Sequence, residues 1–240
     1  MNDFCLQGDV LTKYTGKSKT VKIPGSVAII GKSAFEDCKT IESVAMGNNV
    51  TKIEDNAFCG CVLLKKVAIS SNVDCIPYGV FWGCESLKEI IVPQSVTEIS
   101  ERAFEDCVAL KTAVLPENLC AIGKRAFAWC VSITKIDIPK NVRIIEDETF
   151  LHCESLETVS LPQCTQEVGN AAFSCCVELK KLDFPESLTR IGGAAFENCY
   201  SLETVNISPM QIITLGERAF SGCREGIIRR MGAAVINTWN

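Results

Sequence analysis

Fifteen cysteines stand in this chain of 240 residues, and nine of them follow a phenylalanine by three positions: Cys38, Cys61, Cys84, Cys107, Cys130, Cys153, Cys176, Cys199 and Cys223. Thiols in such a pattern suggest three chemistries: disulfide cross-links, a metal centre, or a nucleophile activated by the one histidine, His152. If the repeating units stack as strands, neighbours lie about 4.7 to 4.9 Å apart, and a disulfide accepts Cα separations of about 4.4 to 6.8 Å. Pairing is therefore geometrically open. Nine residues cannot all pair within one column, however, and reduced cysteine packs well as a small hydrophobe beside Phe and Leu. The spacing favours reduced core thiols, which fit a reducing compartment.

The other six, Cys5, Cys59, Cys75, Cys120, Cys164 and Cys175, fall at different repeat phases and do not converge. Zinc needs four converging ligands, commonly with C-x₂₋₄-C spacing, which neither Cys59-Gly60-Cys61 nor Cys175-Cys176 provides. His152 adjoins Cys153, but a core cysteine stays protonated and inert, and the repeat places His152 at the surface. Asp137 and Asp183 share an outward slot two coils apart, about 9 to 10 Å by strand stacking, near the separation of an inverting glycosidase pair. Lys135 and Lys181 beside them favour plain ionised surface carboxylates instead. No G-x-S-x-G, G-x-x-x-x-G-K-[ST] or G-x-G-x-x-G occurs. Gly31, Gly123 and Gly192 recur at one phase, as coil corners do. The residues thus point to no enzyme, no catalytic or metal site and no cofactor.

A formal charge of -5 gives no bulk attraction to nucleic acid or anionic lipid, while 47% hydrophobic and 22% charged residues suit a folded core. No apolar run approaches the ~18 residues of a membrane span. "MNDFCLQGDV" lacks a basic leader and an apolar run, so a cytoplasmic location is expected, or the cell surface if a leader was removed.

What must position all these groups is a period. Phe35, Phe58, Phe81, Phe104, Phe127, Phe150, Phe173 and Phe196 are each 23 residues apart, and Phe220 follows after one extra residue. A unit this short cannot bury its apolar side alone, so each must be one coil of a solenoid. "LKEIIVP" (87–93) alternates with β-branched residues, predicting a short strand with Leu87, Ile90 and Val92 inward. Its equivalents stack as one parallel sheet, closed by prolines such as Pro93 and Pro116. Phe, Cys and Leu at intervals of three predict a short helical or 3₁₀ turn on the return side. In "RAFEDC" (102–107) this turns Ala103, Phe104 and Cys107 inward and Glu105 and Asp106 to water. "FCLQGDVLTKY" (4–14) reads as a hairpin turning at Gly8-Asp9. The expected organisation is an N-terminal cap over 1–20, a solenoid of nine coils over 21–225 and a C-terminal cap over 226–240.

"IGKSAFEDCKTIESVAM", "IGKRAFAWCVSITKIDIP" and "IGGAAFENCYSLETVNI" resemble the units of the BspA-like leucine-rich repeats, and the resemblance covers about residues 20 to 225. Met46-Gly47, Thr149 and the insertion around Pro209 to Ile213 depart from the pattern mildly. The resemblance implies an α/β repeat fold, a curved, right-handed leucine-rich-repeat solenoid that binds other proteins or surfaces.

Function is then sought where copies differ. One outward slot runs Ala45, Ala68, Ile91, Val114, Asp137, Ser160, Asp183 and Asn206, apolar in its first half and polar in its second. Lys65, Lys88 and Lys111 occupy a neighbouring slot in three consecutive coils. Exposed apolar residues on a solvated sheet mark interaction sites. The expected partner-binding surface therefore has Ala68, Ile91 and Val114 at its centre and Lys65, Lys88 and Lys111 as its rim, with an unidentified protein as partner. Two other uses stay open: self-association through the same strip or through an incompletely capped end, and carbohydrate or cell-surface adhesion of the kind implied by secreted relatives.

Overall fold

The structure is a computed structural model that describes residues 3–208, 211–224, 227 and 235–237. Coils are numbered here from the one that begins at Phe35. The chain opens with an antiparallel hairpin, β1 (Phe4–Gln7) and β2 (Val10–Tyr14), turning at Gly8 with φ 65°. Every later pairing is parallel and runs coil to coil, in two ladders instead of the single sheet that the alternation suggested.

The first ladder holds three-residue strands: β3 (Thr20–Lys22), β5 (Ser43–Ala45), β7 (Lys66–Ala68), β9 (Glu89–Ile91) and β11 (Thr112–Val114). It continues with β13 (Lys135–Asp137), β15 (Thr158–Ser160), β17 (Lys181–Asp183) and β19 (Thr204–Asn206). Each centres on one inward residue, such as Val44 or Ile90. A proline or its substitute then starts a tight turn, as in Val96 N–H to Pro93 C=O at 3.1 Å. The second ladder follows that turn: β4 (Ile29–Ile30), β6 (Lys52–Ile53), β8 (Cys75–Ile76), β10 (Glu98–Ile99) and β12 (Ala121–Ile122). Then come β14 (Ile144–Ile145), β16 (Glu167–Val168), β18 (Arg190–Ile191), β20 (Ile213–Leu215) and β21 (Val235–Asn237). At the amino end β2 pairs with β4, which joins the hairpin to this ladder. Apart from Ile227 and the strand β21, the segment 226–240 lies outside the described residues.

The return side is neither helical nor 3₁₀, contrary to the period-three expectation. Ala34, Glu36 and Cys38 donate to the carbonyls three residues back, at 3.0 to 3.1 Å, as a 3₁₀ turn would require. The alternate residues Ser33, Phe35 and Asp37 donate instead to Asp55, Ala57 and Cys59 of the next coil, at 2.7 to 3.1 Å. Half the amides thus point along the solenoid axis, which two left-handed residues per coil make possible. In this coil they are Ser33 and Asp37, both at φ 55°. The second of these columns runs Asp37, Gly60, Gly83, Asp106, Trp129, His152, Cys175, Asn198 and Gly222, all at positive φ. Gly, Asn and Asp hold most of it, as the left-handed region favours.

The core is one stack. From Phe35 to Phe220 successive rings lie 4.7 to 5.6 Å apart and within 17° of parallel. Tyr14 extends the stack onto the hairpin at 5.0 Å from Phe35. Each such contact is worth about 0.5–1.5 kcal/mol beyond the area it buries. Beside it the column cysteines are buried from Cys61 to Cys199, with Cys38 and Cys223 half-buried at the two ends. All fifteen cysteines are free. Ala103, Phe104 and Cys107 point inward as expected, but Glu105 is buried too, at 5% exposure, rather than facing water. Its carboxylate lies 3.5 Å from the Nε atoms of both Arg102 and Arg125. These arginines sit one coil apart in the left-handed column and close over it.

Both ladders are interrupted. Pairing lapses between β6 and β8 and between β7 and β9, and it lapses in both ladders between coils four and five, at β11/β13 and β12/β14. At β8 the cause is Pro77, which lacks the N–H that Glu54 and Ser100 use at the same position. At the second seam Ala113 fills the inward slot that Ile90 and Ile136 fill in the flanking coils, so the sheet packs on less side chain. Thr134, Arg143 and Glu146 donate no backbone hydrogen bond among the described residues, whereas Glu157, Gln166 and Gly169 one coil later donate at 2.7 to 2.9 Å. The turn side stays closed across this seam, with Asp106 N–H on Ala128 C=O at 3.0 Å.

Candidate interaction surface

The outward face of the first ladder displays the residues singled out from the sequence. Ile91 is 66% exposed and Val114 45%, and the two are direct partners in the register of β9 and β11. Ala68 ends β7 and is also exposed, but the β7/β9 interruption leaves it beside Ile91 without ladder pairing. Ala45 extends the strip and pairs in register with Ala68. A groove of about 420 Å³ borders Val114 at the open seam, lined by Lys111, Leu115, Thr134, Lys135 and Asp137 among others.

The three lysines stack in consecutive coils just before their strands, with Lys88 N–H to Lys65 C=O at 3.5 Å and Lys111 N–H to Lys88 C=O at 2.9 Å. They are not equivalent. Lys65 Nζ is 2.6 Å from Glu42, which also takes Lys19 at 2.7 Å. Hydrogen bonds from Lys19 and Lys65 hold the Glu42 carboxyl down at about 2. Lys88 and Lys111 have no side-chain partner among the described residues, so the free positive charge lies beside Ile91 and Val114. Further along the same face the surface turns polar and self-paired. Asp137 meets Lys135 at 2.9 Å, and Asp183 meets Lys181 at 2.9 Å and Asn206 at 2.5 Å. Lys181 and Asn206 lower the Asp183 carboxyl below its usual range, and both aspartates are open to solvent with ammonium neighbours.

The thiols are positioned for structure. Each column cysteine from Cys61 to Cys223 donates its S–H to the phenylalanine carbonyl of the preceding coil at 3.1 to 3.3 Å. Burial pushes the buried thiols of this column up, from Cys61 to Cys176, and Cys59 rises to about 11 through burial reinforced by Glu36 and Asp37. Cys153 faces Phe127 C=O rather than His152. The imidazole stacks on Trp129 at 3.8 Å with Nδ1 3.4 Å from Glu154, half-buried rather than free at the surface. Among the described residues no three His, Cys, Asp or Glu side chains are grouped to hold a metal. No helix among them is long and apolar enough to cross a membrane.

A second depression escaped the sequence reading. It lies over the second ladder at coil four, about 810 Å³ in volume, where Cys120, Ala121 and Gly123 sit between larger residues of the flanking coils. Its signal was a run of small residues in three outward slots of one coil, visible only once the second ladder is known.

Residues 11–130 and 120–229 match the profile of the BspA type leucine rich repeat region, in 6 copies. Among solved structures, a leucine-rich repeat protein from Bacteroides ovatus is 26% identical with a TM-score of 0.70, over 90% of this chain and 63% of that one. This chain therefore spans less than two thirds of that protein. A leucine-rich repeat protein from Eubacterium ventriosum is 16% identical with a TM-score of 0.50, over 89% of this chain and 88% of that one. The T. pallidum leucine rich repeat protein is 23% identical with a TM-score of 0.48, over 95% and 89%. Comparison with curated proteins finds no match.

Proposed function

Because this chain belongs to the BspA-type leucine-rich repeat family, we propose that it is a non-catalytic module that binds another protein through the outward face of its first ladder. The observation that carries this reading is the in-register pair Ile91 and Val114, the two large aliphatic side chains that this face leaves open to water. Singly exposed apolar residues are ordinary, but a contiguous strip with a charged rim is the anatomy of an interface core. Ala68 lengthens the strip, and Lys88 and Lys111 supply unpaired charge that steers an acidic partner, with Lys65 partly neutralised by Glu42.

In the same reading, residues 1–20 and 226–240 cap a solenoid over 21–225, since uncapped ends would expose core and strand edges. Cys61, Cys84, Cys107, Cys130, Cys153, Cys176 and Cys199 are buried and Cys38 and Cys223 pack against the core, a use of cysteine that suits a reducing compartment.

A photo-crosslinking amino acid placed at position 91 or 114 tests the reading in the source cell. Both positions are expected to capture one and the same protein, and positions 183 and 206 on the polar end of the ladder are not. Capture from all four positions alike would remove the assigned surface. Capture of a second copy of the chain would turn the reading to self-association.

A further inference from the structure

The groove of about 810 Å³ over the second ladder lies on a different strand face from the strip described above, and nothing in that reading uses it. Its floor is Cys120, Ala121 and Gly123 of coil four. Coil three raises one wall with Glu98 and Ser100, and coil five raises the other with Arg143, Ile144 and Glu146. Ile144 is 42% exposed, so wall and floor offer apolar surface to whatever lies in the groove.

The groove also coincides with the open seam. The N–H groups of Arg143 and Glu146 donate to no carbonyl among the described residues, although their equivalents Gln166 and Gly169 donate at 2.7 Å each. The coil-five wall of the groove thus carries two unpaired main-chain donors. Extended polypeptide offers main-chain carbonyls that such donors can take.

Charge gives the groove a direction. Lys140 and Arg143, with no ion-pair partner among the described residues, line the end beside Cys120. Glu101 and Glu146 line the end beside Gly123, where Lys124 is already held by Asp147 at 3.1 Å and Arg102 lies 3.4 Å from Glu101. From Cys120 to Gly123 an extended chain covers about 10 Å, room for three to four residues.

We propose that this groove binds an extended polypeptide segment with an acidic residue at one end, small apolar residues in the middle and a basic residue at the other. The acid lies against Lys140 and Arg143, the apolar residues cover Ala121 and Ile144, and the base lies against Glu101 and Glu146.

Cys120 is exposed on the groove floor and Cys5 is exposed on the N-terminal hairpin, so the two give a reporter and an internal control. The experiment alkylates the full chain with iodoacetamide and follows both sites by mass spectrometry. Three capped pentapeptides serve as probes: Glu-Ala-Val-Ala-Lys, its reverse Lys-Ala-Val-Ala-Glu, and Lys-Ala-Val-Ala-Lys. At saturation one of the two mixed-charge peptides slows alkylation of Cys120 about tenfold and leaves Cys5 unchanged, while the two-lysine peptide has no effect. Arg143→Glu, or Lys140→Glu should the first variant lose its native circular dichroism, weakens the protecting peptide about tenfold. The proposal is overturned if neither mixed peptide protects Cys120, if the two-lysine peptide protects it equally, or if the charge reversals leave protection unchanged.

Discussion

From Phe35 to Phe196 each phenylalanine carbonyl in the stack accepts two hydrogen bonds, one from the amide of the cysteine three residues on and one from the thiol of the following coil. Phe58 C=O, for example, takes Cys61 N–H at 3.2 Å and Cys84 Sγ at 3.3 Å. The thiol therefore fills space and also occupies the second lone pair of a buried carbonyl, a role that its weak S–H donor can serve. Cys107→Ala is expected to lower unfolding free energy by about 1–2 kcal/mol, from lost packing more than from the lost bond. Cys107→Ser keeps a donor facing Phe81 C=O, so urea unfolding should find it no less stable than the alanine variant. A serine variant much weaker than alanine would show that the slot tolerates no hydroxyl. Glu105 gives a pH-dependent prediction. Burial raises its carboxyl above the usual carboxylate range, and Arg125 and Arg102 offset this only in part. A folded-state pKa raised above the unfolded one means that the folded state takes up the proton more readily, so ionised Glu105 burdens the fold above that pKa and the burden lifts as pH falls through it. Glu105→Gln removes this component. Its melting temperature relative to wild type should be most favourable near pH 8 and should decline on acidification toward pH 4.5, and a rise over that range would show that the two arginines dominate.

At the scale of elements, period and alternation made the first ladder readable: Val44, Ile90 and Leu182 repeat at one phase, and a residue flanked by two exposed ones in a three-residue strand has one interpretation. The second ladder was harder to see because its strands are two residues long, as in Lys52–Ile53, too short to show alternation. The turns misled because Phe, Cys and Leu at intervals of three satisfy a helical period, whereas the left-handed column was written in Gly60, Gly83, Asp106 and Asn198, one residue before each cysteine. Glu105 could not be placed from sequence, since its burial depends on Arg102 and Arg125 closing over it from two coils. The open seam between coils four and five yields a direct test. Hydrogen exchange should be faster at the amides of Thr134, Arg143 and Glu146 than at Glu157, Gln166 and Gly169, their equivalents one coil later, by about tenfold or more where a protecting bond is worth about 1.4 kcal/mol of local opening. Equal protection at the two sets would close the seam in solution.

At the scale of the whole molecule, each coil among the described residues contacts only its neighbours, so stability is a sum of coil and interface contributions and the seam is its weakest described link on the strand side. The Phe104–Phe127 contact at 5.1 Å and the closed turn side carry the connection there. This division separates structure from binding. The residues that repeat hold coil to coil, while those that vary on the outward faces are free to choose a partner. That Ile91 and Val114 would face outward was legible from the strand phase, but the partial neutralisation of Lys65 by Glu42 was not, because it needs side-chain positions from two coils. The central claim is that the apolar strip on the first ladder is the binding surface. The most direct measurement is the affinity of the partner captured at position 91, by titration calorimetry, for wild type and for Ile91→Asp/Val114→Asp. Both substitutions lie on solvent-exposed strand positions, so the variant should keep its circular dichroism and melting profile. The account predicts a loss of affinity of about 100-fold, as truncation of an interface centre produces. A folded double variant that binds the same partner with unchanged affinity would contradict it.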